Sequence, residues 1–432
     1  MDRFLKNKAV LAECKIYQML LADAGARHVS FHTPGHKVGA WDITELSFSD
    51  NLSCPRGCIA EAEKDIAGIL GACKSFILTD GSTSGVLSML QAVKSLGART
   101  IAVCESSHKS VFNGCMALGL TPLVYPCENK GGIPFPPTMY ALNERYGETF
   151  AQADVLFFTS PDYYGNVVEW KAIREYCDKT GKILLADGAH GGHLHHDKNL
   201  HAGGYADMWV EGVHKSLPAF TQGAIVSART EKMAVALENA VDIFRTTSPS
   251  YPIMASVEYA VKYPRNAALE EKVKAFQARE RVYQNADWTK LVVRFGSGAF
   301  EAEKRLENEG IYAEFCDGKN LTFYLSPVTS EEEFTLLTER LEQLLEEYPL
   351  TEEKEAQPIP APLIFTGKQT EWVDLDKAEG RVCARICGLF PPCVPLFQIG
   401  ETITQDKIEK MQKANNVFGL KDGKILTFQE EK

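Results

Sequence analysis

Short hydrophobic runs alternate with helix-like periodicities between about residue 60 and residue 265. Each run spans a few residues, as buried strands do, and the segments between the runs repeat apolar positions every three or four residues. This alternation predicts an α/β fold with a mostly parallel sheet and helices on both faces. The clearest strands are Ser75–Leu78, Thr100–Val103, Val155–Phe158, Ile183–Asp187 and Ala224–Val226, and the clearest helices are Gly85–Leu96 and Trp170–Thr180.

Amphipathic segments flank this central unit. Apolar positions from Leu5 to Leu21 predict one N-terminal helix over residues 1 to about 30, and a long charged helix is expected over about 268–288. Beyond it, Leu321–Leu325 is a predicted strand, and Ser330 with Glu333 would cap a helix that runs to Tyr348. The predicted organisation is an N-terminal helix and loop segment (1–55), a large domain (56–288), a small α/β domain (289–350), a linker (351–370) and a C-terminal unit (371–432).

Composition narrows the class of protein. The net charge of -11 argues against nucleic-acid binding, because phosphate backbones need a basic surface. The sequence contains no run of eighteen apolar residues, and charges interrupt the first 21 residues, so neither a membrane span nor a signal peptide is expected. We therefore expect a cytoplasmic protein whose twelve cysteines stay reduced.

Two polar residues end hydrophobic runs. Asp187 closes the run Ile183–Asp187, and Lys215 follows the run Met208–Val210. Ligands of parallel sheets bind beyond the carboxyl ends of strands, so both side chains are expected at one site. A lysine that forms a Schiff base and an acid that partners a pyridinium nitrogen are the groups that pyridoxal 5'-phosphate (PLP) needs. The pair predicts a PLP enzyme that acts on an amino acid.

The run Asp80–Gly85 contains two glycines and three hydroxyl residues between a predicted strand and a predicted helix. Glycines allow close backbone approach, and helix N–H groups with hydroxyls suit a phosphate group. A plain turn with an N-cap fits the same pattern.

The tripeptide His-Lys-Ser occurs twice, at 108–110 and 214–216, so either lysine is a candidate for the Schiff base. Lys215 is favoured because it comes after Asp187 and precedes a turn, 217–223, that leads into a strand. The ring of His108 suits stacking on a planar cofactor, although a single loop histidine is also common as a surface residue.

Four histidines lie close together, at positions 190, 193, 195 and 196. Their spacing is not the helical i,i+4 pairing of zinc sites, and no glutamate accompanies them in a recognised pattern, so no metal site is predicted. His190 is expected to face the cofactor pocket because it follows Asp187 by three residues. The other three are expected to be solvated.

Together these segments resemble the Orn/Lys/Arg decarboxylases, which are PLP-dependent enzymes with the type I, aspartate-aminotransferase fold. The resemblance covers almost the whole chain; each motif is weak alone, whereas their order and spacing are specific. The motifs are His32–Lys37, Asp80–Gly85, Ser107–Lys109, Thr159–Gly165, Asp187–Gly191, Val213–Ser216, Thr247–Tyr251 and Pro391–Pro395. The resemblance implies decarboxylation of lysine, arginine or ornithine to a polyamine precursor and carbon dioxide.

The resemblance also implies roles at the cofactor. Lys215 would be the Schiff-base lysine, Asp187 the partner of the pyridine nitrogen, and His108 the ring stacked on the cofactor. Four residues would hold the phosphate: Ser82, Thr83, Ser84 and His214.

Further implied roles lie outside this group. Ser248 and Tyr251 would reach the cofactor of a neighbouring subunit, so a homodimer with shared active sites is expected. Glu401 would lie near the distal amine of the substrate. The chain departs from the family pattern at Cys393, where glycine is usual, and at Ile399, where proline is usual. The family pattern therefore does not predict the C-terminal wall of the pocket or the substrate that fits it.

Two other readings compete with a decarboxylase. One is a type I PLP aminotransferase or lyase, for which Arg381 and Arg385 are the unconvincing candidates for the arginine that binds the substrate carboxylate. The other is a catalytically silent homologue that regulates an active enzyme. The intact pair of Asp187 and Lys215 argues against the second reading.

Overall fold

The computed structural model describes residues 5–25, 29–37, 41–130, 132–350, 369–390, 395–414 and 416–429. Cys393, the motif residues 391–394 and most of the predicted linker lie outside this part of the chain. The strands, in chain order, are β1 Lys74–Leu78, β2 Thr100–Cys104, β3 Thr121–Tyr125, β4 Glu128–Lys130, β5 Ile133–Phe135, β6 Val155–Thr159, β7 Ile183–Asp187, β8 Met208–Glu211, β9 Ala224–Ala228, β10 Lys290–Arg294, β11 Phe315–Cys316, β12 Asn320–Tyr324, β13 Thr370–Asp374, β14 Cys387–Leu389, β15 Pro395–Phe397, β16 Val417–Phe418 and β17 Lys424–Phe428. The helices are α1 Lys8–Glu13, α2 Lys15–Ala24, α3 Cys58–Leu70, α4 Gly81–Ser95, α5 Lys109–Leu118, α6 Met139–Gln152, α7 Trp170–Thr180, α8 Val213–Ser216, α9 Glu231–Phe244, α10 Tyr251–Val261, α11 Ala267–Gln277, α12 Ala299–Asn308, α13 Glu331–Glu347 and α14 Gln405–Lys413.

A seven-stranded sheet forms the centre, in the order β1-β9-β8-β7-β6-β2-β3. Neighbours from β8 to β3 pair in parallel, whereas β9 runs antiparallel to both β8 and β1. Strand β1 therefore runs in the same direction as β8, and the carboxyl ends of six strands meet at one edge. The prediction of a mostly parallel sheet is confirmed.

Strand residues alternate between two hydrophobic cores, because successive side chains point to opposite faces. Ala102 and Leu184 belong to the core under α2, α3, α6, α7 and α10, whereas Val103 and Leu185 belong to the core under α4, α5 and α9. Helices thus cover both faces of the sheet, as predicted.

The predicted N-terminal helix is interrupted. Helix α1 ends at Glu13, Cys14 is extended, and α2 begins at Lys15. The buried carboxylate of Glu258 accepts hydrogen bonds from the N–H groups of Lys15 (2.7 Å) and Ile16 (2.9 Å). A residue more than 240 positions away thus satisfies the first donors of α2, which local periodicity does not reveal.

The charged helix predicted over 268–288 is also shorter than expected, because α11 ends at Gln277. Arg281 adopts a positive φ of 66°, and the N–H of Tyr283 donates to the carbonyl of Val292 at 2.9 Å. The chain folds back onto β10 at this point, so residues that would extend the helix instead line the small sheet.

The small sheet, in the order β10-β12-β11, has two different faces. Leu291 and Phe323 pack against α12 and α13, whereas Val292 and Phe315 pack against Tyr163 and its neighbour in the large domain. The predicted capping box of Ser330 and Glu333 opens α13, as expected. The small domain thereby closes one side of the region beyond β6 and β7.

The C-terminal residues form a two-stranded sheet, β13-β17, and a three-stranded sheet, β15-β14-β16, around their own hydrophobic core with α14. Among the described residues, no helix is both long and apolar enough to cross a membrane.

Candidate active site

A pocket of about 190 Å³ lies at the carboxyl edge of the large sheet. The loops that follow β1, β2, β6, β7 and β8 contribute residues to it, and this edge is the expected place for a ligand of such a sheet. The predicted residues that line it are Ser82, Thr83, His108, Asp187, His190, His214 and Lys215. The fold therefore brings together most of the site residues that were predicted from the sequence.

Lys215 lies on the short helix α8 and points into this pocket. Its Nζ atom is 3.0 Å from the Nε2 atom of His190. The competing lysine, Lys109, lies elsewhere: its Nζ atom is 4.5 Å from the ring centroid of Phe418, in the C-terminal unit. The structure thus places Lys215, and not Lys109, among the pocket residues.

Asp187 ends β7 and is only 3% exposed. Burial raises the pKa of its carboxyl group, while the charge of Lys215 and a hydrogen bond from the N–H of Ala189 (3.1 Å) act against that rise. Among the described residues, the carboxylate of Asp187 accepts this one hydrogen bond. A buried carboxylate with spare acceptor capacity suits a cationic partner.

The N-terminus of α4 forms one end of the pocket. Gly81 begins the helix with a positive φ of 77°, and the side chains of Ser82 and Thr83 line the pocket. Gly85 lets the helix lie close against β8, since a Cβ atom there would be 2.5 Å from Cγ2 of Val210. N–H groups and hydroxyls at a helix start suit an anion.

Hydrogen bonds define the orientation of the flanking histidines. Nδ1 of His108 accepts from the N–H of Ser110 at 3.2 Å, so the neutral ring carries its proton on Nε2. Nδ1 of His214 donates to the carbonyl of Gly223 at 2.9 Å. Burial, with a contribution from Lys215, lowers the pKa of His108 to about 3 and lowers that of His214.

His190 lines the same pocket as these rings. Burial, and after it the charges of Lys215 and Lys290, holds the pKa of His190 well below its usual value. Its ring meets those of Tyr163 and Tyr324 edge to face, with centroid distances of 4.8 and 5.4 Å. The ring is therefore neutral and tightly enclosed.

The expectation that the remaining histidines of this loop are solvated is wrong for His193. It is buried, and its Nε2 atom lies 2.8 Å from Oδ1 of Asp287. His195 is half-buried and donates from Nδ1 to the carbonyl of Gly192, whereas His196 is exposed. The acid that binds His193 is almost a hundred residues away, so no local pattern indicates this contact.

Four predicted site residues lie outside the pocket of this chain. The hydroxyl of Ser84 donates to the carbonyl of Gly81 at 2.8 Å, and Ser248 is exposed on the loop before α10. Tyr251 is buried, and its hydroxyl donates to the carbonyl of Asp50 at 2.6 Å. Glu401, the fourth, forms a buried ion pair with Lys407.

The carboxylate of Glu401 is bound on both oxygens. One pairs with Nζ of Lys407, and the other accepts from the N–H of Gln398 at 2.9 Å. Gln398 in turn donates from Nε2 to the carbonyl of Glu105. The C-terminal unit thus contacts the loop after β2, and Glu401 is held in that contact.

Sequence reasoning missed several residues at the site. Tyr163, Thr221 and Gln222 line the pocket. Tyr163 lies in the motif Thr159–Gly165, and the other two lie in the turn after Lys215, but none of the three was predicted as a site residue. Glu314, just before β11, is half-buried; burial raises its pKa, and the charge of Lys215 acts against that rise. Only the docking of the small domain brings Glu314 near the pocket.

Comparisons with known proteins identify relatives of this chain. A family model described as "Orn/Lys/Arg decarboxylase, major domain" matches residues 40–293, which is more than half of the chain. Two proteins of Bacillus subtilis are each 27% identical: the uncharacterized protein YaaO, over 96% of this chain and 98% of its own, and an arginine decarboxylase, over 93% of both.

The fold is shared with solved structures as well. Lysine decarboxylase A from Pseudomonas aeruginosa superposes with a TM-score of 0.77 at 15% identity, covering 96% of this chain and 80% of its own. At that identity the likeness concerns the fold alone, and it confirms the predicted fold class. On the family match, this chain belongs to the Orn/Lys/Arg decarboxylase family.

Proposed function

We propose that the protein decarboxylates a basic L-amino acid with PLP bound at Lys215, releasing carbon dioxide and a di- or polyamine precursor. One observation carries the proposal: Asp187 and Lys215 line one pocket together with the N-terminus of α4. Membership of the decarboxylase family, and the arginine decarboxylase among the relatives, support the reaction type.

The residues present fit PLP. Asp187 has the spare acceptor capacity that a protonated ring nitrogen would use, and Gly81, Ser82 and Thr83 offer a helix start to a phosphate. Lys215 supplies the amine. When bound, PLP supplies an aromatic ring that withdraws the electrons left on the α-carbon when carbon dioxide departs.

The protein groups bind, orient and move protons. We assign to Asp187 the task of keeping the ring nitrogen protonated, since an adjacent carboxylate favours the cation. Nε2 of His190 lies 3.0 Å from Nζ of Lys215, and since the pKa of His190 is held well below its usual value, its neutral ring can accept a hydrogen bond from the lysine and orient it. His108 flanks the pocket with a neutral ring that suits stacking, and Lys215 or His108 returns a proton to the α-carbon.

The choice of substrate depends on an acid that meets the distal cation. Glu401 is the family candidate, and its side chain is held by Lys407 in the C-terminal unit. Glu314 is a second candidate, because it is close enough to Lys215 for that charge to influence its pKa. We propose a basic substrate on these grounds and leave lysine, arginine and ornithine as alternatives.

We further propose a homodimer that works in the cytoplasm. Ser248 is exposed next to α10 and is free to approach a second subunit, as the family resemblance implies. The hydroxyl of Tyr251 is already bound to Asp50 within its own chain. Of this segment, Ser248 is therefore the better candidate for a shared site.

The experiment measures products and the site of attachment together. The purified protein is given PLP and carboxyl-labelled lysine, arginine or ornithine, and carbon dioxide is expected from at least one of them. Borohydride reduction followed by peptide mapping should place the pyridoxyl group on Lys215. Lys215→Ala should abolish turnover, whereas Lys109→Ala, the matched control in the other His-Lys-Ser sequence, should retain PLP attachment.

Other outcomes decide against the proposal. A keto acid in place of carbon dioxide would identify an aminotransferase. A protein that stays colourless with added PLP would instead indicate a silent homologue.

A further inference from the structure

A fully buried lysine lies behind the active-site loop. Lys290 opens β10 and has no exposed surface, and neither does Asp287, which lies three residues before it. Their side chains form an ion pair, with Nζ 3.1 Å from Oδ2 of Asp287. Burying two charges is costly unless further hydrogen bonds satisfy them, so such a pair needs an explanation.

The carboxylate of Asp287 has several partners. Its Oδ1 atom accepts from Oγ1 of Thr289 (2.7 Å) and from the N–H of the same residue (2.9 Å), and it lies 2.8 Å from Nε2 of His193. Burial raises the pKa of Asp287, but His193 and Lys290 outweigh that effect and hold the pKa well below its usual value. The acid is therefore ionised and fixed.

The ammonium group of Lys290 is directed at the active site. It donates to Oγ1 of Thr289 at 2.8 Å and to the backbone carbonyl of His190 at 3.1 Å. It also lies 4.6 Å from the ring centroid of Tyr324, whose edge contacts the ring of His190. One buried cation thus touches both the main chain of His190 and the aromatic wall beside it.

The segment that carries this cation is bound to the large domain at a second point. The N–H groups of Ala286 and Asp287 both donate to the carbonyl of Gly165, and the Nδ2 group of Asn285 donates to that of Tyr164. The segment 285–290 therefore bridges the loop after β6 and the loop after β7. The same segment also contacts the His190 peptide through Lys290.

We propose that Lys290 is a positioning residue: its buried ammonium group, fixed by Asp287, holds the His190 peptide and sets the orientation and electrostatic environment of the contact between His190 and Lys215. This inference rests on the proposed role of Lys215. Nothing in the geometry requires Lys290 to touch the substrate.

The charged and titratable groups around this contact come from both domains. Those whose charges influence the pKa of His190 are Lys215, Lys290, His108 and His214, and Asp187 and Glu314 in turn interact with Lys215. Tyr163 and Tyr324 enclose the ring of His190. Of these, Lys290 is the cation whose partner, Asp287, can be changed separately, which makes a paired experiment feasible.

The test measures the pKa of the Lys215 amine in the full-length chain without PLP. Competitive labelling with acetic anhydride over a pH series, quantified by mass spectrometry of the peptide that contains Lys215, gives this value. Lys290→Met removes a positive charge and should raise the pKa of the Lys215 amine, on the order of one pH unit. Asp287→Asn leaves that charge unbalanced and should lower it by a comparable amount. The double variant should return close to the wild-type value.

Lys262→Met is the matched control. Lys262 is also largely buried in an ion pair, with Glu258 at 2.9 Å, but it lies beside the N-terminal helices. This variant should lose stability without changing the pKa of Lys215. If Lys290→Met does not fold, Asp287→Asn alone tests the inference, and it should lower the pKa of the Lys215 amine.

Shifts of the same sign in the two single variants, or none in either, would overturn the inference. Because labelling does not need PLP, a failure of borohydride mapping at Lys215 would count against the proposed function alone.

Discussion

Gly85 of α4 lies so close to Val210 of β8 that a Cβ atom at position 85 would be 2.5 Å from the Cγ2 atom of that valine. The same valine belongs to the strand that leads to Lys215. The close approach therefore fixes the start of α4, with its hydroxyl residues, relative to the lysine.

We predict that Gly85→Ala destabilises the protein by about 1–3 kcal/mol, because the added methyl group overpacks this contact. It should also weaken PLP binding by displacing the helix start. Urea unfolding and PLP titration measure the two effects. The control is Gly68→Ala in α3, where nothing lies within 4 Å and a gain of roughly 0.5–1 kcal/mol is expected. Equal stability of the two variants would contradict the prediction.

Asp187→Asn should lower activity but raise stability at neutral pH. The pKa of Asp187 is raised in the folded chain, so the folded state holds a proton more tightly than the unfolded state does, and stability is lost as pH rises above the unfolded value. The asparagine variant without PLP should therefore be more stable than wild type at neutral pH and gain less on acidification. Its turnover with PLP should fall by a factor on the order of 10² or more. Thermal unfolding at pH 5 and pH 8, beside kcat, checks both.

His108→Phe tests whether the ring of His108 is neutral in the folded protein. The pKa of His108 is lowered to about 3, so wild type loses stability as pH falls from about 6.5, where the unfolded imidazole begins to protonate. The phenylalanine variant lacks this loss. Its resistance to urea, compared with that of wild type, should therefore be greater at pH 5 than at pH 8. It should also keep PLP binding if stacking is the role of the ring. A wild-type histidine resonance for residue 108 that titrates near pH 6.5 would refute this account.

Glu314→Gln and Glu401→Gln distinguish two candidates for the acid that meets the distal amine. The acid that binds this cation should, on replacement, raise KM for the preferred amino acid by roughly tenfold or more, since a charge-assisted hydrogen bond contributes about 1.5–3 kcal/mol. The other replacement should leave KM nearly unchanged. Glu401→Gln also breaks the ion pair with Lys407, so its thermal stability is measured alongside. If neither variant changes KM, another group recognises the substrate.

Mixed oligomers test the shared active site. A Ser248→Trp chain and a Lys215→Ala chain are each expected to be inactive or nearly so as homodimers. Mixing them should restore about a quarter of the wild-type activity per site if residue 248 acts on the partner's pocket, because one hybrid site then has both native residues. Sedimentation confirms that dimers form. Full activity of Ser248→Trp alone would remove this residue from the site.

The sequence by itself determined most strands of the central sheet and most of the pocket residues. Strand and helix periodicities located the central sheet, and α7 has the predicted bounds Trp170–Thr180. Asp187 and Lys215 were recognisable because each follows a hydrophobic strand, and parallel strands bring their carboxyl ends to one edge. These features depend on neighbouring residues, so a linear pattern is enough to reveal them.

Tertiary structure decided what depends on distant partners. The break at Cys14 follows from Glu258, and the burial of His193 follows from Asp287. The side-chain directions place Lys215 in the pocket and Lys109 beside Phe418, and Glu314 approaches the pocket only when the small domain docks. Such contacts join residues far apart in the chain, and the periodicity of a single segment does not encode which remote group will meet it.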